Sequence, residues 1–284
     1  MIVSIFPNLN NDGVYQLTLD LISKLTDLGT TVCMSDEFID CSFDSVEFKD
    51  EAVLFEICDF AISIGGDGTT HNVAKNAALN GKATLGINAG RLGFMSGIER
   101  NELDLISNIV NGDYKIEERM MLKVDIVEND EVISTHHCLN DAVITRGDIA
   151  RLIDINLMCD ARMITKTRAD GMIIATPTGS TAYSMAAGGP VLSPDNSCFV
   201  ATPICPHSLV NRSIVFSSDK ELYLSVDNDK NQCSYLSLDG STLIPIGVGG
   251  GIKVTKSPYS AKLITVKQDN FYEILNKKIL ERRN

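Results

Sequence analysis

Gly65-Gly66-Asp67-Gly68-Thr69 follows the apolar run Ala61-Ile62-Ser63-Ile64 and precedes a stretch of helical character from Thr70 to Leu79. That order, strand then glycine loop then helix, decides the reading of the first half of the chain. Glycines reach positive φ and let a ligand approach the backbone, while the first N–H groups of a helix are unpaired donors at the positive end of its dipole. Such a loop handles phosphate. Asp67 lies among those donors, and a carboxylate beside polyphosphate is repelled by it. It therefore suits a cation, a hydroxyl proton or a sugar hydroxyl, which points to chemistry rather than anchoring alone. A glycine turn in which Asp67 or Thr69 merely caps the helix is the alternative. Neither the GxGxxG spacing nor the GxxxxGK[ST] loop with its lysine is present, so the two commonest nucleotide motifs do not apply.

Outward from the loop, residues 1 to about 114 alternate short apolar strands with helical periods. The strands are Ile2 to Phe6, Thr31 to Met34, Phe60 to Ile64 and Ala83 to Ile87, and Val14, Leu17, Leu21, Ile22 and Leu25 mark a helix ended by Gly29. This is the pattern of a parallel α/β domain, whose ligands collect at the carboxyl ends of its strands. A second glycine loop, Asn88 to Phe94, falls at the same edge. After Tyr114 come β-branched runs: Leu122 to Val127, Asp141 to Thr145, Ile153 to Met158, Gly171 to Ala175, Leu222 to Val226 and Tyr235 to Leu238. The expected division is an α/β domain over 1–114, a β-rich domain over 115–267 and a C-terminal helix over 268–284 that packs back onto the first domain. No Pro/Gly/Ser linker separates the halves, so the cleft between them is the expected site.

With 25 basic and 37 acidic side chains the formal charge is −12, which opposes nonspecific attraction to nucleic acid or anionic lipid. No apolar run reaches the roughly 18 residues that span a membrane, and Met1 to Phe6 reads as a first strand without a basic leader. A cytoplasmic protein is expected. The eight cysteines are scattered without a CxxC pair, so reduced, structural thiols are expected, with no protein-built metal site.

Further segments sharpen the reading. Asn140-Asp141 opens a strand, Ala169-Asp170-Gly171 leads to Thr176-Pro177-Thr178-Gly179-Ser180-Thr181-Ala182-Tyr183-Ser184, and Pro206-His207-Ser208-Leu209 follows. Together with GGDGT, in this order, they resemble the motifs of the NAD kinase family, which phosphorylates the adenosine ribose 2′-hydroxyl of NAD to make NADP. The resemblance spans roughly residues 60 to 241. It implies an α/β domain followed by a β-rich domain, ATP with Mg²⁺ or another divalent cation, and a homodimer or homotetramer.

By that resemblance Asp67 is the general base toward the 2′-hydroxyl, and Gly65, Gly66, Gly68 and Thr69 form the phosphate loop. Asn140 and Asp141 match an Asn-Glu pair that holds adenosine, with Asp141 one methylene short. Asp170 corresponds to a residue on the nicotinamide part of NAD. Thr181, Ala182 and Tyr183 correspond to positions around both rings, with Ser184, Met185 and Ala186 continuing that stretch. Phe94 matches a family aromatic, and Arg151 and Arg168 fall where pyrophosphate or substrate contacts are placed. The chain departs from the family after GGDGT, where Thr70, His71 and Asn72 leave Lys75 or His71 as the local sources of positive charge, and at Met95, where tyrosine is frequent. A diacylglycerol or sphingoid lipid kinase is the competing enzyme, since it shares GGDGT. A noncatalytic NAD(P)-binding sensor is the competing non-enzyme.

Overall fold

The computed structural model describes residues 1–90, 93–148, 151–208, 212–227, 233–247, 249–267 and 271–281. The chain forms two compact units, Met1–Glu118 with Tyr259–Asn284, and Arg119–Pro258.

Unit 1 is built from β1 (Ile2–Pro7), α1 (Val14–Asp27), β2 (Thr31–Ser35), β3 (Val46–Lys49), α2 (Glu51–Ile57), β4 (Phe60–Gly65), α3 (Asp67–Leu79), β5 (Ala83–Asn88), β6 (Ile98–Glu99) and α4 (Ile106–Val110). The five apolar positions that marked α1 are all buried, and they are joined by Thr18, whose hydroxyl bonds the Val14 carbonyl at 2.8 Å. Gly29 ends the turn at φ 76°, a conformation that favours glycine. The sheet order is β3-β2-β1-β4-β5, every pair parallel. Strand order therefore reverses between β1 and β4, and such reversals open a crevice at the strands' carboxyl ends. β4 is buried along its whole length, as expected for a parallel strand covered on both faces. The short β3 and α2 carried too little periodicity to be anticipated.

Two expectations are corrected here. The helix after β4 starts at Asp67, three residues before Thr70, with Gly66 as its N-cap. None of Gly65, Gly66 and Gly68 has positive φ, so their glycine character is a matter of space. A Cβ on Gly65 would lie 2.5 Å from Thr69 Oγ1, whereas Cβ atoms on Gly66 and Gly68 would meet nothing within 4 Å. The first occurrence is packing, and the other two leave the backbone bare.

Unit 2 contains β7 (Lys115–Glu128, entering at Arg119), β8 (Glu131–Cys138), β9 (Asp141–Arg146), β10 (Ile153–Cys159), β11 (Arg162–Ala169), β12 (Gly171–Ala175), α5 (Tyr183–Ala186), β13 (Cys198–Ile204), β14 (Ile214–Ser217), β15 (Leu222–Asp227), β16 (Ser234–Leu238), β17 (Thr242–Ile246) and the first half of β18 (Gly251–Thr265). One antiparallel sheet runs β14-β13-β12-β9-β16-β17, and a second antiparallel set runs β11-β10-β15-β18. Their side chains, among them Ile144, Met172, Ile174, Phe199 and Leu236 from the first and Ile155, Leu224 and Val254 from the second, form one core. The opposite side of β12 is also buried, through Ile173 and Ala175, which explains why that strand reads as an unbroken apolar run. On β7, Asp125 is buried and bonded by Thr135 Oγ1 at 2.6 Å and Lys123 Nζ at 3.0 Å. Burial by itself pushes its carboxyl up, but these two donors together hold it below the ordinary range.

The later boundary also differs from expectation. Residues 259–267 cluster with unit 1, because Lys262 and Leu263 pair in parallel with Ala83 and Thr84, and Ile264 enters the unit 1 core. The run Gly249-Gly250-Gly251 is a turn, with Gly249 at φ 78°, feeding β18. The last helix, α6 (Phe271–Glu281), rests Phe271 on Phe94 with ring centroids 5.9 Å apart, both within unit 1.

Candidate active site

In unit 1 the order reversal brings the end of β1 beside the end of β4. Asn8 N–H donates to the Ile64 carbonyl at 2.9 Å, and its side-chain amide reaches Thr69 Oγ1 at 3.4 Å. Two residues beyond the end of β4, Asp67 opens α3 and turns its carboxylate toward the second glycine loop. Oδ1 accepts from Phe94 N–H at 2.8 Å and Met95 N–H at 3.2 Å, and Oδ2 accepts from Phe94 N–H at 3.1 Å. The third donor is Lys278 of α6, whose Nζ lies 2.9 Å from Oδ2 and 3.9 Å from the Phe94 ring centroid. Gly93 makes this approach possible, since a Cβ there would lie 2.5 Å from Asp67 Oδ1. Met95 is buried and contributes its N–H. Arg91 and Leu92 of the same loop lie outside the described residues.

In unit 2 a second carboxylate is bound by backbone donors. Asp239, Gly240 and Ser241 form a three-residue hairpin connection between β16 and β17, with Asp239 and Gly240 both at positive φ (50° and 68°), the backbone that Asp-Gly favours. From there Asp239 accepts from Leu139 N–H at 3.1 Å, Asn140 N–H at 2.8 Å and Asp141 N–H at 3.2 Å. Thr176 tightens the other side: its N–H donates to the Asn140 carbonyl at 2.9 Å and its hydroxyl to the Leu139 carbonyl at 2.7 Å. Gly179 packs directly on Asn140, where any Cβ would overlap the Asn140 backbone. The start of β9 is thus held on three sides, with the Asp141 side chain buried.

Asp170 sits in the one-residue gap between β11 and β12, paired with Arg146 Nε at 2.6 Å. Thr181 and Ala182 lead into the four-residue α5, where Tyr183 is 48% exposed. Met185 and Ala186 stay accessible beside it. Ser184 differs: it is buried, and its hydroxyl bonds Thr202 Oγ1 at 3.1 Å, so its side chain is structural. Arg168 lines a cavity of about 540 Å³ within unit 2 together with Lys166, His207 and Arg212. Arg151 is exposed and is not among the residues lining that cavity. Leu209 lies outside the described residues. His136 and His137, adjacent on β8, bond different partners, Ser134 and Ser257.

The profile of the ATP-NAD kinase N-terminal domain matches residues 3–114, and that of the ATP-NAD kinase C-terminal domain matches residues 139–266. The chain belongs to the NAD kinase family. It is 37% identical to the NAD kinase of Caldanaerobacter subterraneus subsp. tengcongensis over 281 residues, covering 99% of each chain. To the NAD kinase of Carboxydothermus hydrogenoformans it is 40% identical over 227 residues, 80% of this chain and 81% of that one. Two solved structures share the fold: a yeast NADH kinase complexed with NADH (TM-score 0.87, 23% identity, 97% of this chain and 86% of that one) and an NAD kinase from Archaeoglobus fulgidus in complex with ATP (TM-score 0.74, 24%, 98% of each). Membership of the NAD kinase family makes the chain a phosphotransferase and leaves the lipid-kinase alternative without support.

Three residues of this NAD kinase family member were not assigned from sequence: Lys278 on Asp67, Arg146 on Asp170, and Asp239 as the holder of Asn140 and Asp141. Only the Asp-Gly hairpin signal at Asp239 was present locally. The other two pairings depend on chain segments brought together by folding.

Proposed function

We propose that the chain transfers the γ-phosphoryl group of ATP to the adenosine ribose 2′-hydroxyl of NAD, forming NADP. The observation that carries this reading is the Asp67 carboxylate, fixed by backbone N–H groups at the N-terminus of a helix whose first glycines leave the backbone bare. An alcohol is a weak nucleophile, so a positioned carboxylate and an in-line phosphoryl group supply most of what the transfer needs. In this reading the 2′-oxygen attacks the γ-phosphorus as the bond to the β–γ bridging oxygen breaks and ADP leaves with the electron pair. The hydroxyl proton passes to Asp67 and then to water.

Asn140 and Asp141 are assigned to adenosine, Asp170 to the nicotinamide end, Thr181, Ala182 and Tyr183 to the rings, and Arg168 to a phosphate. Asp141 reaches less far than glutamate, so its ribose contact is expected through water or a small backbone shift. Among the described residues there is no group of three or more His, Cys, Asp or Glu fit to hold a metal ion. Mg²⁺ or another divalent cation is assigned to the nucleotide phosphates, where Mg²⁺ is commonly carried. Among the described residues no helix is long and apolar enough to cross a membrane. A cytoplasmic homodimer or homotetramer completes the proposal.

The test is an NADP-forming assay with NAD, ATP and Mg²⁺, coupled to an NADP-specific dehydrogenase and run beside Asp67→Asn. NADP formation that collapses in the variant supports the reading. No NADP from folded wild type, with ATP or with polyphosphate as donor, overturns it.

A further inference from the structure

Asp67 poses an electrostatic problem that α3 does not solve. A carboxylate at the place where a polyphosphate must arrive repels it, yet the segment Asp67-Gly68-Thr69-Thr70-His71-Asn72 contains neither lysine nor arginine. His71 is buried. Lys75 stands about 12 Å further along the helix axis, at the ordinary rise per residue.

We propose that Lys278 is the positioning residue that allows a polyphosphate donor to approach Asp67, by cancelling its charge. The proposal rests on the reading that Asp67 is the general base at the point of phosphoryl transfer, beside which the donor's γ-phosphate must lie. Lys278 Nζ contacts Oδ2 at 2.9 Å and lies over the Phe94 ring. Both holders belong to unit 1, and the lysine is aimed at them by the docking of α6: Phe271, two turns earlier on the same face, packs on Phe94. The carboxylate–ammonium pair is partly open, with the lysine side chain 22% and the aspartate side chain 35% exposed. Asp67 stays anchored by the Phe94 and Met95 N–H groups when the ammonium shifts. The lysine is thus the exchangeable partner, free to yield Oδ2 to an incoming hydroxyl and lean toward phosphate oxygens without leaving the site.

The experiment is a double-mutant cycle read on ATP affinity by calorimetry, using wild type, Lys278→Met, Asp67→Asn and the double variant, with thermal unfolding to establish that each is folded. In the Asp67 background, Lys278→Met is expected to weaken ATP binding about tenfold while NAD affinity stays within about twofold. In the Asp67→Asn background the same change is expected to cost less than about threefold, because the repelling charge is gone. Lys278→Arg is expected to retain affinity. Losses of equal size in both backgrounds, or no loss in either, overturn the proposal, since a merely structural lysine does not depend on the charge of Asp67. Lys278→Gln replaces the methionine variant if that one unfolds. Wild type is assayed for NADP formation on the same preparation. Absence of NADP there overturns the functional reading, and wild type that fails to bind ATP overturns both. NADP formation alongside an unchanged ATP affinity in Lys278→Met overturns the lysine's role alone.

Discussion

Asp67 in unit 1 and Asp239 in unit 2 each accept hydrogen bonds from consecutive backbone N–H groups, Asp67 from Phe94 and Met95, Asp239 from Leu139, Asn140 and Asp141. Around Asp67 the backbone is the clamp and the carboxylate is the part assigned to chemistry. Around Asp239 the carboxylate is the clamp, and the residues assigned to substrate are the ones being held. The surroundings follow this difference. Asp67 keeps an oxygen on an exchangeable lysine, whereas Asp239 is fixed in a tight hairpin and faces a strand start braced by Thr176 and Gly179. One hydrogen-bonding device thus serves either to present a side chain or to fix a stretch of main chain, depending on which partner is left open.

The contrast predicts different losses from the same one-atom change. Asp67→Asn keeps shape and most hydrogen bonding but removes the base. Turnover is expected to fall by about 10² to 10⁴-fold with NAD affinity little changed, measured by steady-state kinetics and calorimetry. Gly179→Ala forces the Asn140 backbone aside, and NAD affinity is expected to drop by at least about tenfold, with an unfolding free energy lowered by about 1–3 kcal/mol in a denaturant titration. Asp239→Asn tolerates the left-handed turn, as asparagine does, but presents an N–H₂ where an acceptor is needed. It is expected to lower unfolding free energy by about 1–3 kcal/mol and raise KM for NAD, with kcat at saturation close to wild type. A kcat loss in Asp239→Asn as large as that of Asp67→Asn would erase the distinction.

The smallest expected effect concerns Asp125, a buried carboxylate remote from either clamp in sequence. Its folded-state value is depressed, so its stabilisation is present above the ordinary carboxylate range and is lost as pH falls through that depressed value. Asp125→Asn is expected to cost about 1–2 kcal/mol at neutral pH, a cost that persists down to about pH 4 and fades only as pH falls below it toward the depressed value, which unfolding measured across that range checks.

Much of this was legible in the residues. The periodicity of Val14 to Leu25 and the unbroken apolar β4 and β12 located their elements because burial on one or both faces leaves a local record. The start of α3 was missed because glycine disfavours helix, and only the packing of Gly65 against Thr69 and the seating of Asp67 on the second loop set the first turn at Asp67. Residue types at Asp67, Asn140 and Asp170 announced polar work. Their partners Lys278, Asp239 and Arg146 did not, because each contact joins separate stretches of chain, in the first case 211 positions apart. Burial patterns record which face of an element is covered; they do not record which charged tip closes on which.

Unit 1 is assembled from two stretches, Met1–Glu118 and Tyr259–Asn284, and this has a consequence in time. During synthesis the sheet bearing Asp67 can form early, but Lys278 and the half of β18 beside β5 emerge only after all of unit 2 has been made. At about 5–20 residues per second that interval is roughly 7–30 s. A nascent or prematurely ended chain therefore carries its acidic group at the helix mouth with no ammonium upon it. In this reading the charge balance at Asp67 is completed only when α6 docks, so a partial product meets a polyanionic nucleotide with that acidic group uncompensated.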